Sequence, residues 1–331
     1  MRRTLLALLL AAPLALSARS ANAAGHKLRI ATMAPKSSSW GKLFSVWQRA
    51  VDKKTHGSLA LTVYYNGVQG SDDTVVGKMR SGQLDGAALT SVGLSRIYRD
   101  VMVLQLPGVV DSWAELDKVR RGVGPDLAKG FEKKGFHLLG WGDVGLVRQM
   151  SHGFAVHRPS DLRGHHPVMW QGEPMAPLVY SSIGQVVPVA LGPMEVLPAL
   201  RAHKVDVVNA PSLAAEQLQW TPYLDHIAST VSVCAIGGTV MRQKALDDLP
   251  ADLRKTFFEL EERLQKLSKH RVRQLDAASH KRLVRRMQVV STTPADQAAW
   301  RQVLVRAVQR LARGTYDPAL IKRVLRITGK H

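Results

Sequence analysis

One order of elements, strand–helix–strand–helix–strand, can be read twice along this chain, and that repeat constrains its fold more than any other feature. The first copy opens with Leu28-Arg-Ile-Ala-Thr32, an alternating strand-like run. Ser37-Ser-Ser-Trp-Gly41 follows, with serines suited to capping a helix. Trp40, Phe44, Trp47 and Val51 then recur at helical spacing. Residues 59–65 are rich in β-branched and aromatic side chains and end at the Asn66-Gly67 turn. A short helix is expected over Asp72–Arg80 and a strand over 84–89. The second copy reads as a strand over 167–170, a helix over Met175–Ile183, a strand over 185–191, a helix over 194–203 and a strand over 205–208. Met79-Arg-Ser-Gly-Gln-Leu-Asp85 and Leu200-Arg-Ala-His-Lys-Val-Asp206 share one pattern, apolar, Arg, three small or polar residues, apolar, Asp. Each leaves a helix and enters a strand. Such units build a parallel sheet with helices on its faces.

From Pro250 the chain becomes helical, with Phe257, Leu260, Leu264 and Leu267 on one stripe. A helix from Ala251 towards Arg286 is long enough to cross two lobes. Thr292-Thr-Pro-Ala-Asp296 opens another, with a threonine cap and Pro294 in the first turn. The expected architecture is α/β and two-lobed, with a ligand cleft between the lobes and long C-terminal helices. Lobe I is expected over residues 24–147 plus about 233–275, and lobe II over 148–232 plus about 276–331. Cys234 is the single cysteine, so no internal disulfide is available and the core alone must hold the fold.

The N-terminus carries Arg2 and Arg3, an apolar core over residues 5–16 and Ala21-Asn22-Ala23, the pattern of a cleaved secretory signal peptide over 1–23. The expected location is the periplasm. The net charge of +20 would attract nucleic acid, anionic lipid or anionic solutes, and export excludes the first. Much of the excess falls late in the chain, at Arg282, Arg285, Arg286, Arg301, Arg310 and Arg326 among others.

Several segments together resemble the solute-binding proteins of tripartite ATP-independent periplasmic (TRAP) transporters, DctP type. They are Val63-Tyr-Tyr-Asn-Gly-Val-Gln-Gly70 with Asp72 and Asp73, the 79–85 segment, Val103-Leu-Gln-Leu-Pro107, Arg148-Gln149, Pro159-Ser-Asp-Leu-Arg-Gly164, Glu195-Val-Leu-Pro-Ala-Leu200 and residues 205–211. The resemblance implies a type II-like periplasmic binding protein. Such a protein captures a carboxylate-bearing solute by hinge closure and delivers it to membrane permease subunits. It also implies an arginine on the strand after Asp161-Leu-Arg-Gly164, since a guanidinium matches a carboxylate bidentately. Val168 stands there instead, and Val207, Val208 and Ala210 replace polar groups of the family pattern.

Burying a carboxylate without a paired cation costs several kcal/mol. A less polar ligand is therefore expected, an organic acid or apolar-tailed acid held by Arg148, which matches a second arginine of the family. Trp40, Met169, Trp170 and Trp141 are candidates for the pocket wall, and Thr90, Ser91 and Asn209 for further ligand contacts. His152, His157, His165 and His166 lack the spacing of a zinc helix, no nucleophile elbow or phosphate loop is present, and no cofactor or enzymatic activity is expected. A second reading is a periplasmic carrier or sensor of hydrophobic ligands that meets an anionic membrane surface through the basic C-terminal helices.

Overall fold

A computed structural model describes residues 25–330, and the expected signal peptide over 1–23 lies outside them. In the first lobe, β1 (His26–Thr32), β2 (Leu59–Tyr64) and β3 (Gly86–Thr90) alternate with α1 (Ser39–Lys54), α2 (Asp72–Arg80) and α3 (Ser91–Ile97). The second lobe repeats this with β5 (Val168–Trp170), β6 (Val189–Leu191) and β7 (Val207–Pro211), alternating with α5 (Met175–Ile183), α6 (Val196–Arg201) and α7 (Ser212–Gln217). Between the two copies lie α4 (Trp113–Glu132) and β4 (Phe136–Ser151). After them come β8 (His226–Ala228), β9 (Val233–Arg242), α8 (Gln243–Asp247), α9 (Ala251–Leu283), β10 (Gln288–Val290), α10 (Pro294–Leu311) and α11 (Pro318–Thr328).

The duplication read in the sequence holds at the level of strand pairing. β1 lies between β2 and β3, parallel to both, and β9 runs antiparallel beyond β3. In the second lobe β5 pairs β6 in parallel and meets β7 through a parallel bridge from Pro167 to Val207, while β4 runs antiparallel beyond β7. The two echoed aspartates do the same work. The Asp85 carboxylate accepts the Arg29 N–H at 2.8 Å, and the Asp206 carboxylate accepts the His166 N–H at 2.8 Å. Each also donates its own N–H to the carbonyl of that residue, at 2.9 and 3.2 Å. An acid at the end of each helix-to-strand turn thus ties it to the start of the neighbouring strand, giving two backbone N–H groups a partner.

β4 and β9 pair along their length, from Phe136 with Arg242 to Val147 with Val233, and join the lobes in one sheet. Helix α9, 33 residues and so roughly 50 Å long, reinforces this joint. Its Phe257, Leu264 and Val272 pack with Trp47 and Leu59 of the first lobe, whereas Leu283 belongs to the core of the second. Leu267 leaves the expected stripe and is exposed. The expected boundary also changes at the C-terminus. Leu320, Ile321 and Val324 of α11 join the cluster formed by Leu116, Val119 and Val123 of α4, so the last helix covers the first lobe, not the second. Arg323 pairs with Asp126 across that interface at 2.6 Å.

Candidate ligand-binding cleft

The two lobes enclose a cavity of about 1150 Å3 whose wall is mostly apolar. Trp40 and Phe44 of α1, Val168 and Trp170 of β5, Ala210 of β7 and Trp220 contribute to it. Thr90 and Ser91, at the start of α3, line it because the strand-to-helix turns of β3 and β7 end at the cleft, as strand termini do in open α/β sheets. Asn209 also lines it and donates to the Tyr180 hydroxyl at 3.2 Å. Tyr180 in turn donates to the Val168 carbonyl at 3.5 Å.

The lobes touch around the rim. The Gln217 side chain exchanges hydrogen bonds with Ser39 across the hinge side, accepting from its N–H at 2.9 Å and donating to its hydroxyl at 2.6 Å. Gly172 also abuts the Arg96 guanidinium, and its φ of +78° is a backbone conformation that favours glycine. Arg96 is held by Asp73 at 2.7 Å.

Three of the expected wall residues do not face the cavity. Arg148 is buried, with Val147 and Gln149 on the cavity wall either side of it, so strand alternation turns its guanidinium to the opposite face. There it lies within electrostatic range of Asp276, and burial holds its pKa below the usual arginine value. Met169 is turned away by the same alternation between Val168 and Trp170, and packs with Phe154 and Trp300. Trp141 packs under the Arg120 guanidinium, 5.6 Å from its ring centroid, in the core of the first lobe. Val207 and Val208 are core residues; of the apolar replacements at that strand only Ala210 reaches the cavity.

Apart from the Asp72–Asp73 pair of the family motif, the charged groups of the wall carry no signal of spacing or motif. Asp143 is held from behind by Arg120 at 2.5 Å and Arg273 at 2.6 Å. Arg273 also forks onto Asp117, whose pKa it depresses to about 2, and stacks 4.5 Å over Trp113. Asp111 pairs with Lys330 at 2.9 Å. Glu173 accepts the N–H groups of Met175 and Ala176 at the start of α5, at 2.5 and 2.8 Å. Asp72 accepts from the Thr90 hydroxyl. Burial raises the pKa of both Glu173 and Asp72. The clustered histidines serve local structure: His165 hydrogen-bonds Asp206 at 2.7 Å and stacks on Phe154. Cys234 is buried in β9, and burial pushes its thiol up to about 12, the state of an inert packing residue.

Two similar lobes, a joint of two long strands and a helix, and a large cavity between them fit a solute trap. Residues 30–314 match the model of the bacterial extracellular solute-binding proteins of family 7, the DctP family. The chain belongs to that family. This family 7 protein is 25% identical over 256 residues to a solute-binding protein of Verminephrobacter eiseniae, covering 77% of this chain and 76% of the relative. Its fold is shared with a TRAP periplasmic solute-binding protein of Shewanella oneidensis with bound succinate (TM-score 0.85, 16% identity, 92% of this chain and 100% of the other). A Bordetella pertussis extracytoplasmic solute receptor binding pyroglutamic acid aligns with a TM-score of 0.83 at 15% identity, over 92% and 100% of the two chains. A Sulfitobacter protein with bound β-D-galacturonate aligns at 0.82 and 18% identity, over 92% and 99%.

Proposed function

We propose that this family 7 protein is the periplasmic receptor of a TRAP-type transporter. It captures a largely apolar small molecule bearing one polar end, such as an apolar-tailed organic acid, and hands it to membrane permease subunits. The apolar cavity with Val168 on its wall carries the reading. The solved relatives hold small polar acids such as succinate and galacturonate, and a guanidinium fork suits those ligands. Here the fork position is an aliphatic side chain and Arg148 faces the other side of the sheet. Desolvating a small dicarboxylate in such a wall would cost several kcal/mol that no fork at position 168 offsets.

A ligand that touches both lobes favours the closed arrangement over the open one, because only closure completes its contacts. Release then needs a partner that favours opening. Cleavage of the leader near Ala23 would free the protein into the periplasm, where the exposed arginines of α9 and α10 favour approach to an anionic membrane surface.

The test is native mass spectrometry of the protein from its own host, followed by calorimetric titration with the co-purified molecule and with succinate and malate. A molecule with a large apolar body is expected, and X-ray scattering should show compaction when it is added back. Succinate or malate binding tighter than about 10 µM, equivalent to roughly −7 kcal/mol, would overturn the apolar-ligand reading.

A further inference from the structure

The charge of the cavity wall is opposite to that of the molecule. In a chain of net charge +20, five acids line the cavity, Asp72, Asp73, Asp111, Asp143 and Glu173, against the cations Arg301 and Lys330. Three of those acids are neutralised by Arg96, by Lys330 and by Arg120 with Arg273. Asp72 and Glu173, one from each lobe, have no cation at ion-pair distance among the described residues. Glu173 has both oxygens occupied by the α5 backbone. Asp72 does not: one oxygen accepts from Thr90, and Oδ1 is buried with no hydrogen-bond partner.

A second side chain on the wall is in the same condition. Gln105 is 7% exposed, and its Nε2 donates to the Cys234 carbonyl at 3.0 Å, which fixes the amide orientation. Its Oε1 is then left as a buried acceptor without a partner. Buried polar atoms are rarely left so, and an unpaired acceptor costs about 1–3 kcal/mol. Trp220 Nε1 is the one unpartnered donor on the same wall among the described residues. Two of these three orphaned atoms therefore call for a donor, and one of them is on a carboxylate.

We propose that the polar end of the ligand meeting Asp72 and Thr90 is a hydrogen-bond donor carrying positive charge, a protonated amine. The cavity would then accept an apolar-bodied amine, including one that also bears an acid. This rests on the reading of the cavity as the solute site and specifies the group recognised within it. An ammonium supplies the counter-charge that Asp72 lacks, whereas a carboxylate there would face a like charge. Burial already raises the Asp72 pKa, the response of a carboxyl with no cation beside it. Asp72 is held for this role: it stands in the first turn of α2 and takes the hydroxyl of Thr90, the residue that caps α3. Any carboxylate on the same ligand would find Arg301, the lining cation that makes no ion pair among the described residues.

The experiment compares phenylpropylamine, phenylpropanol and phenylpropanoate by calorimetry on the full mature protein after exhaustive dialysis, with the variants Asp72→Asn, Gln105→Leu and Trp170→Ala. The amine is expected to bind at least about tenfold more tightly than the carboxylate, with the alcohol between, and Asp72→Asn should reduce that ratio to about twofold. Melting curves identify any variant that is not folded, and the order of the three probes on the unmodified protein stands without the variants. If the carboxylate leads and Trp170→Ala weakens it, the cavity is the solute site and the amine inference is overturned alone. If none of the three binds, both are overturned.

Discussion

At the scale of single residues, the chemistry is set by which acids have a cation and which do not. Glu261 illustrates the cost of having none. It lies 4% exposed on α9 with Oε1 unpartnered, and burial pushes its pKa up to about 7. A carboxyl whose folded pKa is raised binds its proton more tightly in the folded state. It therefore carries no penalty while protonated in both states, and the folded state loses stability as pH rises above the ordinary glutamate value. The full loss, about 3 kcal/mol, is reached above pH 7. Glu261→Gln should raise the urea midpoint at about pH 8 by an amount equivalent to about 1–3 kcal/mol and change it little at about pH 4. An equal effect at both values would mean that the carboxylate is solvated. Asp117, depressed to about 2 by Arg273, has the opposite sign, and its contribution disappears only as pH falls below the ordinary aspartate value.

At the scale of elements, the joint between the lobes depends on one buried acid of α9. Asp276 is 2% exposed; its Oδ2 accepts the Leu146 N–H of β4 at 2.8 Å and its Oδ1 the Leu213 N–H of α7 at 3.0 Å. The approach is possible because Gly145 has no side chain: at φ +152°, a Cβ there would fall on Pro211 and on the Asp276 carboxylate. Arg148, unsuited to the cavity, offsets part of the charge of Asp276 from the same side. Asp276→Ala should orphan two backbone donors and leave Arg148 uncompensated, lowering stability by about 3–5 kcal/mol. Urea unfolding measures this, and a loss below about 1 kcal/mol would show that the joint does not rely on it.

At the scale of the whole molecule, the last helix returns to the first lobe. Helix α11 closes the first lobe by burying Leu320, Ile321 and Val324 against α4, and Lys330 pairs with Asp111 and Glu115. Ending the chain after Gly314 would expose these partners, and at about 1.5–3 kcal/mol per buried aliphatic side chain the loss should be about 5 kcal/mol or more. An unchanged urea midpoint in the shortened protein would mean that the helix contributes nothing to the lobe it covers. The closed rim has its own counterpart at this scale. The contact of Gly172 with Arg96 joins α3 of one lobe to the β5–α5 turn of the other.

Local pattern carries most of the architecture. Alternation and helical spacing located β1, α1, β2 and α2. The Asp85 and Asp206 echo marked the duplicated turns, and the motif order pointed to the family. Such signals reside in short stretches, which is why a sequence holds them. The face of the long interlobe strand was a different matter. β4 is broken by glycines and shifts register twice against β9, between Leu138 and Gly140 and again between Asp143 and Gly145. Each shift breaks the two-residue count, so parity along the strand could not say that Arg148 faces α9 while Val147 and Gln149 face the cavity. Nor could spacing bring Asp72, Gln105 and Glu173 to one wall, or carry α11 back to α4. Sequence alone determined two α/β lobes and a family; only the packing of distant segments decided which charges look into the cleft, because that depends on neighbours far away in the chain.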